Sequence, residues 1–205
     1  MIIKTRYSPK DYASFCHSRT IFLHSERGTT RLHSKTTIMH KNYNNQDCHI
    51  AYATAIGLGY DVLSPDPVLV VALEEERTVT AVLTRFGALD LMTIELGKRD
   101  IAHNLNLSAA EKAMEVIASM TSCLLARIPC EATIAISEAG TIGIAGAGDA
   151  SKPLCRLIEG KTTLETYTEP YLESVVARGD SIIRAQRHKL PFIRKNFFRK
   201  IIYKS

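Results

Sequence analysis

Between residues 108 and 128 the apolar positions fall at steps of three and four: Ala110, Met114, Ile117, Leu124 and Ile128, with Thr121 on the same line. That spacing predicts an amphipathic helix whose stripe must be covered by a sheet or another helix. Ser108 and Glu111 have the separation of a reciprocal capping box, and Pro129 marks the stop, because it lacks an amide proton and biases Ile128 away from helical angles. Past Pro129 the period shortens to two. Ile134 and Ile136 alternate with Thr133, Ala135 and Ser137, which predicts a strand. Glu138, Ala139 and Gly140 then read as a tight turn into an apolar run at 141–145, so that the two runs are expected to form a hairpin.

Upstream, Ser64-Pro65-Asp66-Pro67 breaks the chain ahead of three apolar runs, 68–73, 79–85 and 91–96. Their connections are too short for crossover helices, so an antiparallel meander is expected. Residues 161–189 read as helical, with Gly179 a weak point that splits or loosens the helix. Three strands, a helix, two strands and more helix predict an α+β fold: a mainly antiparallel sheet with helices packed on one face.

The first 64 residues have a different texture. Residues 17–24 (HSRTIFLH) match residues 33–40 (HSKTTIMH) at an offset of sixteen, and both read as strands, as does the short run 2–7. Period two places the two histidines of each copy on opposite faces, so they do not converge on a metal, and no metal site is expected. KNYNNQ at 41–46 reads as an exposed loop ahead of an alanine-rich stretch whose type the pattern leaves open. The organisation expected is an N-terminal β-rich region (1–64) packed on a core domain (65–190), followed by a basic aromatic tail (191–205).

Composition adds bounds to this picture. In 205 residues, 45% are apolar and 23% charged, as in ordinary globular chains. No apolar run is long enough to span a bilayer and the first residues lack a secretory core. Five cysteines without a C-x-x-C pair favour a reducing compartment, so a cytoplasmic location is expected. Charge is segregated: eight Lys/Arg against three Asp/Glu in residues 1–50, ten against eighteen in 51–180, and eight against none in 181–205. Basic ends on an acidic body either fold back onto it or meet a polyanion.

Candidate chemistry is sparse. Cys48 beside His49 is the pairing from which a thiolate nucleophile can be made, and Glu138 and Asp149 are carboxylates expected at strand ends. Gly146 and Gly148, with Lys152 nearby, form a glycine-rich loop able to admit a phosphate or small ligand, although it matches neither the P-loop nor the dinucleotide fingerprint. Arg194, Lys195, Arg199 and Lys200 interleave with Phe197 and Phe198 in the tail, a composition suited to phosphate contact and base stacking. The leading expectation is therefore a protein that binds RNA, DNA or an anionic protein surface through its basic termini. The alternatives are a small-molecule enzyme with its pocket between the glycine loop and Cys48/His49, and an oligomeric assembly or effector component. No motif specifies a cofactor.

Overall fold

The computed structural model describes residues 43–102 and 107–186. The histidine repeat, the run at 2–7 and the six tail residues singled out above lie outside them. The order of elements is α1 (Asn45–Gly57), β1 (Val68–Leu73), β2 (Thr78–Thr84), β3 (Gly87–Ile94), α2 (Lys98–Ile101), α3 (Leu107–Arg127), α4 (Cys130–Ala139), β4 (Thr141–Ala145), α5 (Ser151–Thr162), β5 (Glu165–Glu169) and α6 (Leu172–Ala185). The fold is α+β, with a five-stranded sheet in the order β3-β2-β1-β4-β5.

The meander forms as the short connections require, β1 antiparallel to β2 and β2 to β3. β1 reads VLVVAL without alternation because both of its faces are buried. Leu69, Val71 and Leu73 face a core shared with α3, α4 and α5, while Val70 and Ala72 face a second core shared with α1 and α6. The stripe on α3 is buried throughout, from Ala110 to Ile128. α3 begins at Leu107, which puts Ser108 inside its first turn rather than at the cap.

Residues 130–139 correct the hairpin expectation: they are helix, not strand. Pro129 is the N-cap, its carbonyl accepting from the amides of Ala132 and Thr133, and Gly140, at φ 80°, ends the helix with its amide bonded to Ile136 O. Only Ala132 and Ile136, four apart, are fully buried, and Ile134 is exposed; the alternation of isoleucines was coincidental to a helical face. With α2, α3 and α4 as the connection, the chain has the length to return β4 parallel to β1, pairing Val70–Ala72 with Gly143–Ala145. β5 continues the parallel pairing beyond β4.

Two elements fall where the pattern predicted one helix or none. α5 buries Leu154 and Ile158 against the α3 side, and ETYTE, read as the start of a helix, is the edge strand β5. On that edge Glu159 Oε1 accepts from the Thr166 amide at 3.0 Å and from its hydroxyl at 2.7 Å, a side-chain guard against further strand pairing. α6 runs unbroken through Gly179. The KNYNNQ stretch supplies the cap of α1: Asn44 Oδ1 accepts from the Gln46 amide.

Candidate functional site

β1 and β4 lie side by side and parallel, yet the chain leaves their carboxyl ends in opposite directions, from β1 toward β2 and from β4 through α5 toward β5. Such a reversal of strand order opens a crevice outside the sheet, the usual ligand position in sheets of this kind. Two loops border it, the turn at 74–77 after β1 and the glycine loop at 146–150 after β4.

The first loop is tied down from both sides. Glu74 N donates to Arg77 O at 2.9 Å, while the amides of Lys98 and Arg99 donate to the carbonyls of Glu74 and Glu75 at 2.8 and 3.0 Å. Gly97 permits that approach, since a Cβ there would stand 2.5 Å from Glu74 O and from Arg77 N. Arg77 bonds to Glu74 through Nε and to Asp47 Oδ1 through Nη1 at 2.7 Å, and Thr93 Oγ1 donates to Asp47 Oδ2 at 3.1 Å. The first turn of α1 thereby holds the β1–β2 turn in place.

The glycine loop is pressed against the same strand end. Gly146, at φ 96°, would with any side chain overlap the Leu73 carbonyl and stand 2.9 Å from Leu172 Cβ. The amides of Gly146 and Gly148 donate to Glu169 O and Pro170 O, both at 3.0 Å, so they face the β5–α6 junction rather than forming a nest for an anion. Positive charge at the loop comes from side chains instead. Lys98 Cε lies 3.7 Å from where a Cβ on Gly148 would sit, and Lys152 is exposed in the first turn of α5. Among the described residues neither lysine makes an ion pair, and Asp149 of the loop is exposed.

The structure thus brings together Gly146, Gly148, Asp149 and Lys152, and adds Lys98, which no sequence signal marked because the polar stretch after β3 has no periodicity of its own. Glu138 does not join them. It is exposed near the end of α4, at the amino end of β4, a strand length of roughly 16 Å from the loop. Cys48 and His49 lie in α1, partly buried on the α6 side. His49 Nε2 meets Asp180 Oδ1 at 3.0 Å; burial lowers the pKa of this imidazole and the Asp180 charge opposes the lowering. Burial, reinforced by the Asp47 charge, pushes the Cys48 thiol up to about 11, so at neutral pH about one thiol in ten thousand is ionised. That is the reverse of the tuning a nucleophilic cysteine requires. Among the described residues no three His, Cys, Asp or Glu side chains gather as a metal set.

No family model and no curated protein matches the sequence. The fold is similar to that of MreB5 of Spiroplasma citri in its AMPPNP-bound crystal structure, at 14% identity and a TM-score of 0.53 over 68% of this chain and 59% of that one. The ADP-bound structure of the same protein gives 15% identity and a TM-score of 0.53, over 68% of this chain and 60% of that one. The ethanolamine utilization protein EutJ from Carboxydothermus hydrogenoformans aligns at 12% identity and a TM-score of 0.44, over 62% of this chain and 51% of that one. The likeness to MreB5 is one of fold and covers about 60% of the MreB5 chain's length.

This corrects the expectation of a nucleic-acid-binding protein. The fold is similar to that of MreB5, and residues 43–186 hold 11 Lys/Arg and 19 Asp/Glu, a net of −8 that repels a polyanion. No described helix is long and apolar enough to cross a membrane.

Proposed function

We propose that the chain binds a nucleotide in the crevice at the carboxyl ends of β1 and β4. The observation carrying this reading is the reversal point itself, with a glycine loop seated on β1 and, beside it, Lys98 and Lys152, which make no ion pair among the described residues. The fold likeness to MreB5, a protein described in complex with AMPPNP and with ADP, supports it.

The residues have distinct roles in the proposal. Gly146 and Gly148 keep the loop low enough for a flat or ribose-like surface to lie on it. Asp149 is a hydrogen-bond acceptor for ribose hydroxyls and, by its charge, keeps phosphates off its own side of the loop. Lys98 and Lys152 take the phosphates as mobile point charges, since the loop amides of Gly146 and Gly148 are already engaged. Should the bound nucleotide turn over, Glu75, exposed on the β1–β2 turn, is the carboxylate available to orient water, since Glu74 is engaged by Arg77 and Glu76 by Arg99. Cys48, His49 and Glu138 take no part.

The test is titration of the full chain with a fluorescent ADP analogue, followed by anisotropy. The wild type should saturate. Removing the lysine ammonium groups in Lys98→Ala/Lys152→Ala should weaken binding by about tenfold to a hundredfold per lysine in contact, the worth of a charge-assisted hydrogen bond of about 1.5–3 kcal/mol. Absence of saturable binding by folded wild type at about 1 mM nucleotide would overturn the proposal, and unchanged affinity in the variant would remove it from this loop.

A further inference from the structure

Ala72, Ala145 and Glu169 stand level across the sheet, so the chain leaves β1, β4 and β5 in one row, at Leu73, Gly146 and Pro170. The β5 side of that row is held as firmly as the β1 side. Pro170 O accepts from the Gly148 amide at 3.0 Å, and Leu172 Cβ closes on Gly146. Between Pro170 and Leu172 stands Tyr171, the N-cap of α6, whose carbonyl accepts from the Ser174 hydroxyl at 2.9 Å and from the Val175 amide at 3.4 Å. Its backbone is therefore fixed to the glycine loop on one side and to α6 on the other. Its side chain is left in water. At 63% exposure it is the most exposed large hydrophobic side chain among the described residues, while Leu172 beside it is buried.

A strand-to-helix junction is served by small polar residues, which cap the helix and lose nothing in water. An aromatic ring there forgoes the burial that makes such rings useful in a core. It does supply a large flat contact surface with only two side-chain torsions, so little conformational freedom is lost when something covers it. The position of the ring matters as much as its exposure. Lys98 stands just past β1, its amide bonded to Glu74 O, and its side chain reaches over the glycine loop to within 3.7 Å of where a Cβ on Gly148 would sit. Tyr171 stands just past β5. Between them lie two strand spacings, about 10 Å, with the glycine loop in the middle. That span suits a ligand with a charged group at one end and a flat ring at the other.

We infer that Tyr171 is a stacking platform that selects the ligand by the area of its ring, so that the substrate class is the purine nucleoside phosphates, adenine and guanine accepted alike. The inference rests on the nucleotide-binding reading above and gives the bound nucleotide a direction. The base lies on Tyr171 at the β5 side, the ribose crosses the glycine loop beside Asp149, and the phosphates point to Lys98 at the β1 side. Stacking on an aromatic ring is tolerant of base identity because every base has a π-face; its strength follows the overlapping area. A two-ring purine therefore outbinds a one-ring pyrimidine, whereas adenine and guanine, alike in area, differ little. Discrimination between those two needs donors and acceptors aimed at the base edge, which a ring beneath the base does not supply.

The full chain is titrated by calorimetry with ADP, GDP, UDP and inorganic pyrophosphate, as wild type, Tyr171→Ala and Tyr171→Phe. Wild type should bind ADP and GDP within about twofold of each other and UDP at least about fivefold more weakly. Tyr171→Ala should lose about fivefold to a hundredfold in affinity for ADP and GDP, the worth of one stacked base, and keep its affinity for pyrophosphate within about twofold. Tyr171→Phe keeps the ring and should bind ADP as the wild type does. Circular dichroism melting of both variants should match the wild type, because the side chain is exposed. The inference is overturned, with the site intact, if Tyr171→Ala binds ADP like the wild type, if UDP binds as tightly as ADP, or if Tyr171→Ala weakens ADP and pyrophosphate equally, the mark of a residue that only shapes the loop. Wild type that binds pyrophosphate and not ADP overturns the platform alone. Wild type that binds neither overturns the nucleotide site and this inference with it.

Discussion

Gly179→Ala sets two physical effects against each other in one substitution. Gly179 lies in the interior of α6, where alanine is favoured over glycine by about 1 kcal/mol on intrinsic helix propensity. Its new Cβ would stand 2.7 Å from Ala53 C and 2.9 Å from Ala53 Cα, and closer still to the Ala53 carbonyl oxygen. Carbon atoms in contact settle at about 3.5–4.0 Å, so α1 and α6 must part by about an ångström. The obstacle is backbone on both sides, and no rotamer change relieves it. Overpacking of this sort costs about 1–3 kcal/mol, and the parting loosens Tyr52, Ile56, Val175 and Ile183, which are buried around this helix pair. With the upper part of that range and the propensity gain subtracted, the net loss is about 2 kcal/mol, a fall of about 4–8 °C in Tm for a chain of this size. Gly160→Ala is the control. Gly160 lies in α5, is exposed, and a Cβ there would meet nothing within 4 Å. It carries the propensity gain without the clash and should raise Tm by about 2–4 °C. The chain has no Trp, so unfolding in urea and by heat is best followed by far-UV circular dichroism. If Gly179→Ala stabilises the protein as Gly160→Ala does, the close approach of α1 and α6 is wrong.

Two further outcomes test the interior. Leu124→Ala removes a side chain that is fully buried beneath the sheet and should cost about 2–5 kcal/mol in urea unfolding, whereas Val116→Ala on the exposed side of the same helix should stay within about 0.5 kcal/mol; equal effects would mean that α3 presents a different face. Cys48 should be alkylated by iodoacetamide after the exposed Cys123 and Cys130, as read by mass mapping. Its folded pKa of about 11 exceeds the ordinary value of 9.0, so the unfolded chain loses this proton first. Stability contributed by the buried thiol is complete below about pH 9 and is lost as pH rises toward about 11; a Cys48→Ala variant that keeps the same slope over that window would refute the assignment.

What the sequence determined by itself is the set of features that neighbours along the chain decide. The VLVVAL run, the short connections of the meander and the three-and-four spacing of α3 are local signals, and each forms as its pattern requires. The helix–strand–helix order after Pro129 was decided elsewhere. Two isoleucines in CEATIAISEA alternate as readily as they sit four apart from their neighbours, and only the burial of Ala132 and Ile136 against the far core selects the helix. ETYTE has little apolar content to declare a strand, and becomes one because β4 offers it a free parallel edge. The same holds for the site. Gly146, Gly148, Asp149 and Lys152 are close in sequence and were visible together, whereas Lys98 reaches the loop across fifty residues and Asp180 meets His49 across more than a hundred. Periodicity records which face of a segment is dry. Which segment lies against that face depends on pairing between distant parts of the chain, and that information exists only once the sheet has closed in its β3-β2-β1-β4-β5 order.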